Sequence, residues 1–196
     1  MKILSEKPLI RAYCCDCMDL MAGNGDGFWD LAITDPPYGL QKSGNLSRMN
    51  GAGKLANRVI NTRSCEFDLM PPGEEYFTAL FRTSENQIIW GGNYFNLPPT
   101  RGIICWDKEQ PWPNFSAWEM AWTSFDYPSK LFRFNNKGFR GEGKSIHPTQ
   151  KPVALYLWLL TNYAKPGDTI LDTHGGSFSS AIACWKMGFD LDICEM

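Results

Sequence analysis

An alternation along the chain constrains its fold more than any other feature. Short apolar runs, each bounded by Gly, Pro or Asp, recur between longer stretches that carry a helical period. The runs predict strands over Leu9–Cys14, Trp29–Thr34, Gln87–Trp90, Gly102–Trp106, Ala117–Trp122, Lys130–Phe134, Thr169–Leu171 and Phe189–Cys194. Three helices are predicted. Gly73–Thr83 places Tyr76, Phe77, Leu80 and Phe81 on one face, and Pro152–Tyr163 opens with a proline and stops at Lys165-Pro166-Gly167. Phe178–Met187 places Phe178, Ala181, Ile182 and Trp185 on one face and ends at Gly188. Strands alternating with helices imply an α/β architecture, a mostly parallel sheet with helices on both faces. Such sheets bind ligands at the carboxyl ends of their strands, so the loops that follow strands are where chemistry is expected.

Length and composition narrow the class. A chain of 196 residues is expected to form a single domain, and 43% apolar with 20% charged residues excludes disorder. No apolar stretch approaches the ~18 residues of a membrane span, and the first residues lack the apolar run of a signal peptide. The seven cysteines are therefore expected to be reduced thiols in a cytoplasmic protein. Cys14, Cys15 and Cys17 cluster, but no second Cys or His pair stands at zinc spacing. They are read as buried thiols along a strand, and no metal is expected.

The net charge of −2 excludes a uniformly basic nucleic-acid binder, but the charges are unevenly placed. Gly39–Ser64 holds Lys42, Arg48, Lys54, Arg58 and Arg63 with no acidic residue. Pro128–Lys151 holds Lys130, Arg133, Lys137, Arg140, Lys144 and Lys151 against Glu142 alone. Both segments are rich in Gly, Asn and Ser and read as loops. Basic loops on a near-neutral body suit a local phosphate-binding surface, or are merely solvated.

Two loops after strands stand out. In Thr169-Ile170-Leu171-Asp172-Thr173-His174-Gly175-Gly176-Ser177 a strand, an acid, a glycine turn and a helix start follow one another. Glycines let a ligand approach the backbone, and the helix start offers free N–H groups. Glu195 ends the next strand, where an acid usually accepts ribose hydroxyls, so an adenosine-containing cofactor is expected. A full GxGxxG is absent, which disfavours a nicotinamide-dependent oxidoreductase. The second loop is Asp35-Pro36-Pro37-Tyr38, directly after Leu31-Ala32-Ile33-Thr34. Its prolines stiffen the backbone. An amine on a planar base is a poor nucleophile because its lone pair is delocalised into the ring. If Asp35 and the Pro36 carbonyl each accept one N–H, that lone pair becomes free to attack an electrophilic methyl, with Tyr38 stacked on the base.

These residues resemble a known family. Asp35-Pro36-Pro37-Tyr38 after a strand resembles the catalytic motif of S-adenosylmethionine-dependent DNA amino-methyltransferases, the N6-adenine/N4-cytosine type. Ile146-His147-Pro148-Thr149-Gln150-Lys151-Pro152 is similar to the motif that precedes the family's glycine loop, which Asp172–Ser177 resembles. Catalytic motif first and cofactor loop last is the permuted order of the beta group. Gln87–Phe95, Ile103–Lys108 and Cys15–Leu20 also look like family segments, so the resemblance covers nearly the whole chain. It implies a Rossmann-like methyltransferase fold with S-adenosylmethionine as cofactor and DNA as partner. It also implies site residues. Asp35, Pro36, Pro37 and Tyr38 would form the amine site. Asp172, Gly176 and Ser177 would hold the methionine part of the cofactor, and Glu195 its ribose. Asp16 would lie near the adenine. Lys151, with Thr149 and Gln150, would approach the cofactor from a helix start. His147 and His174 are expected to serve structure rather than proton transfer.

The first Asp of the tetrapeptide leans, in the family, towards adenine N6. N4-cytosine methylation, an RNA or protein amine, and a degenerate binding member are the alternatives. The target base must leave the duplex to be reached. Lys42, Arg48, Lys54, Arg58, Arg133, Lys137 and Arg140 are the residues expected to contact DNA, with a short target-recognition insertion at about 124–145. Two departures stand against the family pattern. Phe178 replaces the last glycine of the loop, which narrows the room for the cofactor. The chain stops at Met196, where members continue with another helix. An apolar face left open there would favour a homodimer.

Overall fold

The computed structural model describes residues 7–39, 70–110, 116–135 and 150–196. Eight strands form one sheet in the order β1-β8-β7-β2-β3-β5-β4-β6. They are β1 (Ile10–Cys14), β2 (Trp29–Thr34), β3 (Ser84–Trp90), β4 (Ile103–Asp107), β5 (Trp118–Thr123), β6 (Lys130–Arg133), β7 (Thr169–Asp172) and β8 (Asp190–Glu195). All pair in parallel except β5, which runs antiparallel to both β3 and β4. Four α-helices, α1 (Cys17–Ala22), α2 (Glu74–Thr83), α3 (Val153–Tyr163) and α4 (Ser179–Met187), cover the faces.

The central strands are buried on both sides, as a parallel sheet requires. On one face Leu31, Ile33, Ile88, Trp90, Ile170 and Ile193 pack with Leu155, Leu159 and Ala183 of α3 and α4. On the other, Ala32, Ile89 and Leu171 pack with Met21 of α1 and with Tyr76, Phe77 and Leu80 of α2. The alternation Ile88, Ile89, Trp90 sends successive side chains to opposite cores. The β1 edge is pinned by charge: Asp192 accepts from Arg11 and, at 2.8 Å, from the buried Trp29 indole N–H.

Three expectations need correction. The helix α4 buries Ser179, Ser180, Ala183 and Cys184, whereas Ile182 and Trp185 of the expected apolar face are about half exposed. Its small side chains let it lie close against α3 and β8, so contact depth overrides residue hydrophobicity. The cysteine cluster does not run along a strand as buried thiols: Cys14 is exposed, and Cys17 opens α1. The helix α1 itself was not predicted, because six residues carry too little periodicity; its signal was the cap, Asp16 accepting from the Met18 N–H at 2.8 Å.

No group of three or more His, Cys, Asp or Glu side chains suited to a metal, and no helix long and apolar enough to cross a membrane, occurs among the described residues. Replacing Trp29 with Phe removes one buried hydrogen bond to a carboxylate while keeping the ring. Urea denaturation should report a loss of about 1.5–3 kcal/mol.

Candidate active site

The carboxyl ends of the parallel strands line one edge of the sheet. Read across it, the loops carry Asp16 after β1, Glu195 at the end of β8, Asp172 at the end of β7 and Asp35 after β2. Beyond them stand Gly91 after β3, Glu119 near the start of β5, Lys108 after β4 and Arg133 at the end of β6. From β2 the chain proceeds to β3 on one side, and from β7 to β8 on the other. The crevice between Asp35 and Asp172 is therefore a topological switch point, the place where open α/β sheets hold ligands.

The Asp35 side of the crevice is rigid. Pro36 is buried, and Asp35 is held on both oxygens: Tyr38 donates to Oδ1 at 2.5 Å, and the Lys151 ammonium pairs with Oδ2. The Tyr38 ring stacks on Tyr94, with centroids 4.9 Å apart, and meets Phe95 edge-on. Gly91 lies against the same ring at φ 69°, and a Cβ there would come within 2.2 Å of Tyr38 Cε1. Burial and the neighbouring Asp35 charge push the Tyr38 hydroxyl well above its ordinary value, so it stays a donor.

Lys151 is 5% exposed, beside the start of α3. Its ammonium meets Asp35, Glu119 at 3.4 Å, and the Trp90 ring at 5.3 Å. Burial alone would lower its pKa, but the two carboxylates outweigh it and hold the ammonium above its usual range. Lys151, expected at the cofactor, thus lies in contact with Asp35. Gln150 precedes it, and Thr149 lies outside the described residues.

The Asp172 side is built around two carboxylates. Asp172, 1% exposed, accepts from Ser180 Oγ at 2.5 Å and from the His174 N–H at 3.1 Å. Burial pushes its carboxyl up to about 7, against the pull of those two bonds. Glu195 Oε2 accepts from the Gly176 N–H at 2.6 Å, and Gly175 packs so closely on Ile193 that a Cβ would stand 2.8 Å from it. Asp16 caps α1 one strand away, since Cys14 pairs in register with Glu195. Ser177 shares a hydrogen bond with Ser179 at 2.9 Å. Phe178 stands at φ 59°, a left-handed conformation that glycine adopts freely and that costs another residue about 1–2 kcal/mol. Partial burial against the core offsets that strain.

A buried hydroxyl cluster joins the two sides. Thr34 Oγ1, the residue before Asp35, lies 2.5 Å from Thr173 Oγ1, the residue after Asp172. The Tyr76 hydroxyl from α2 reaches both, at 3.0 and 2.6 Å, and His174 Nδ1 closes the cluster 2.9 Å from Thr173. Burial holds His174 down at about 4, so at neutral pH it takes part in this cluster as a neutral ring.

Glu119, Lys108 and Tyr94 were not singled out from the sequence. The available signal was a lone acid inside the apolar strand Trp118–Thr123. Arg133 is exposed on the edge strand and lies 3.5 Å from Asp107. Lys42, Arg48, Lys54, Arg58, Lys137, Arg140 and His147 lie outside the described residues.

Two outcomes follow from this geometry. An Asp172 carboxyl raised from 3.8 to about 7 on folding favours the folded state below the lower value and loses that contribution as pH rises through the upper. Asp172→Asn should therefore gain stability relative to the parent between pH 4 and about 7, read as Tm across a pH series. Gly91→Ala should lose at least about 1–2 kcal/mol in urea denaturation, from its left-handed backbone and the Tyr38 contact.

Comparisons with known proteins agree with this geometry. A family model described as DNA methylase, of the N6/N4 type, matches residues 120–191. The chain is 25% identical to the Type II methyltransferase M2.MboI of Moraxella bovis, over 91% of this chain and 80% of that protein. It is also 25% identical to the Type II methyltransferase M.HinfI of Haemophilus influenzae, over 88% of this chain but 61% of that protein. Its fold resembles that of an M1.HpyAVI–SAM complex, with a TM-score of 0.58, 19% identity and coverage of 95% and 94% of the two chains. It also resembles the PvuII DNA methyltransferase, described as cytosine-N4-specific, with a TM-score of 0.59, 15% identity and coverage of 98% and 85%. The α/β sheet has the fold of the S-adenosylmethionine-dependent DNA methyltransferases, and over residues 120–191 the chain is similar to the DNA amino-methyltransferases.

Proposed function

We propose that this chain transfers a methyl group from S-adenosylmethionine to the N6 amine of an adenine flipped out of DNA. The observation that carries the reading is the juxtaposition of Asp35 and Asp172 across one crevice, tied together by the Thr34–Thr173 hydrogen bond. The donor set fits the cofactor: carboxylates of Asp16 and Glu195 at neighbouring strand ends suit a diol and an amine, and the bare Gly175–Gly176 turn leaves backbone within reach. Asp172, Gly176 and Ser177 would hold its methionine part, and Glu195 its ribose. When bound, it supplies a methyl on a sulfonium sulfur that keeps the electron pair of the broken bond.

The chain's own residues prepare the acceptor. Asp35 and the Pro36 carbonyl accept the two amine hydrogens and turn the nitrogen lone pair out of the ring. Asp35 is also the base nearest the proton that nitrogen must lose once alkylated. The Tyr38–Tyr94 pair offers an aromatic surface for the extruded base, since unstacking is repaid by new stacking. Arg133 and the basic loops would grip phosphates and set register. An Asp at the head of the tetrapeptide favours adenine, and the PvuII relative makes N4 of cytosine the second candidate.

The test is methyl transfer from S-adenosylmethionine to unmethylated DNA, read as methylated nucleosides by mass spectrometry. N6-methyladenine is expected, and Asp35→Ala should abolish it while leaving cofactor affinity within a few-fold. N4-methylcytosine would keep the chemistry and overturn the base. Product undiminished in Asp35→Ala would overturn the site.

A further inference from the structure

Glu119 belongs to no motif, yet it lies one contact from the centre of the site. It stands on β5 opposite Trp106 of β4, and its carboxylate meets two ammonium groups, that of Lys108 and that of Lys151. Lys151 in turn pairs with Asp35. Four charges thus run in a row, Lys108, Glu119, Lys151 and Asp35, with alternating signs and no net charge. Trp106 lies beside the first ammonium and Trp90 beside the second, each ring centroid 5.3 Å away. The side chains of Lys108 and Lys151 are 13% and 5% exposed, so water screens the row little.

The order of signs has a chemical consequence. Alkylating a neutral amine moves positive charge onto its nitrogen, and Asp35 stabilises that charge as it develops. A buried ammonium on Asp35 opposes it. Without Glu119, the Lys108 and Lys151 ammonium groups together would outweigh Asp35 and cancel its effect on the amine. Glu119 offsets one of these two positive charges and leaves the row neutral. Burial pushes the Glu119 carboxyl up, but Lys151 and Lys108 outweigh it and keep it ionised.

Resting on the methyl-transfer reading above, we propose that Glu119 is a positioning residue for that step: it offsets the surplus positive charge of Lys108 and Lys151 beside Asp35 and so keeps Asp35 an effective acceptor for the target amine. Neither Glu119 nor Lys108 touches the reacting atoms in this scheme. Both act through Lys151.

The experiment compares single-turnover methylation of DNA by the parent chain, Glu119→Gln, Lys108→Met and the double variant, with cofactor affinity and Tm measured alongside. Glu119→Gln leaves a surplus positive charge and should slow the chemical step by about tenfold or more, with cofactor affinity nearly unchanged. Adding Lys108→Met removes the surplus charge and should recover most of the rate, a rescue that a purely structural role would not produce. Parental rate in Glu119→Gln, or no recovery in the double variant, would overturn the proposal. If Glu119→Gln does not fold, the double variant is compared with Lys108→Met alone. The double variant should then be the slower, and equal rates overturn the proposal. A second readout needs no activity: the Lys151 side-chain ammonium, observed by nitrogen-15 NMR, should shift and exchange faster in Glu119→Gln. An unchanged resonance overturns the role of Glu119. Absence of product in the parent chain instead overturns the proposed function and leaves this readout standing.

Discussion

Parallel pairing of β2 with β7 is the contact on which the site depends. Leu31 lies opposite Ile170 and Ala32 opposite Leu171, so two segments far apart in the chain end side by side. Hydrophobic cores on both faces hold that register, and Thr34, Thr173 and Tyr76 seal its end with hydroxyl contacts. A slip of one residue would turn Ile170 and Leu171 to the opposite cores and separate Asp35 from Asp172. The crevice is thus as stiff as the sheet beneath it, which is what chemistry by positioning requires.

Charge is handled differently on the two sides of that crevice. On the Asp35 side the carboxylates of Asp35 and Glu119 are matched by the ammonium groups of Lys151 and Lys108. On the other side Asp172 has hydrogen bonds but no cation among the described residues, and burial pushes its carboxyl up. The difference comes from neighbours contributed by β5 and α3, not from the loops that carry the acids.

Much of this was legible in the chain. The eight strands fall where short apolar runs are punctuated by turn residues, because a strand buried on both faces needs little else. Asp35, Asp172 and Glu195 stood out in the sequence because each closes or directly follows a strand, and strand ends are where such sheets work. Helical faces were less legible. Hydrophobicity alone put Ile182 and Trp185 inside, whereas close packing of α4 favoured Ser179, Ser180, Ala183 and Cys184. Phe178 read as an obstruction to the cofactor; its φ of 59° adds that this is a place where the backbone itself favours glycine. Lys151 read as a cofactor contact because its motif precedes the glycine loop, and the structure pairs it with Asp35.

What the sequence by itself determined is the alternation that builds the sheet and the two loops that carry its acids, since both are written in contiguous residues. The tertiary structure alone decided which of those acids meet which cations. Glu119 reaches Lys151 because β5 runs against its neighbours and inserts between β3 and β4. Tyr38 is fixed because β3 ends in a left-handed glycine directly against its ring. Contacts of this kind join residues tens of positions apart. Local propensity says nothing about them, because they form only when burial of the sheet's two faces brings separate strand ends to one edge.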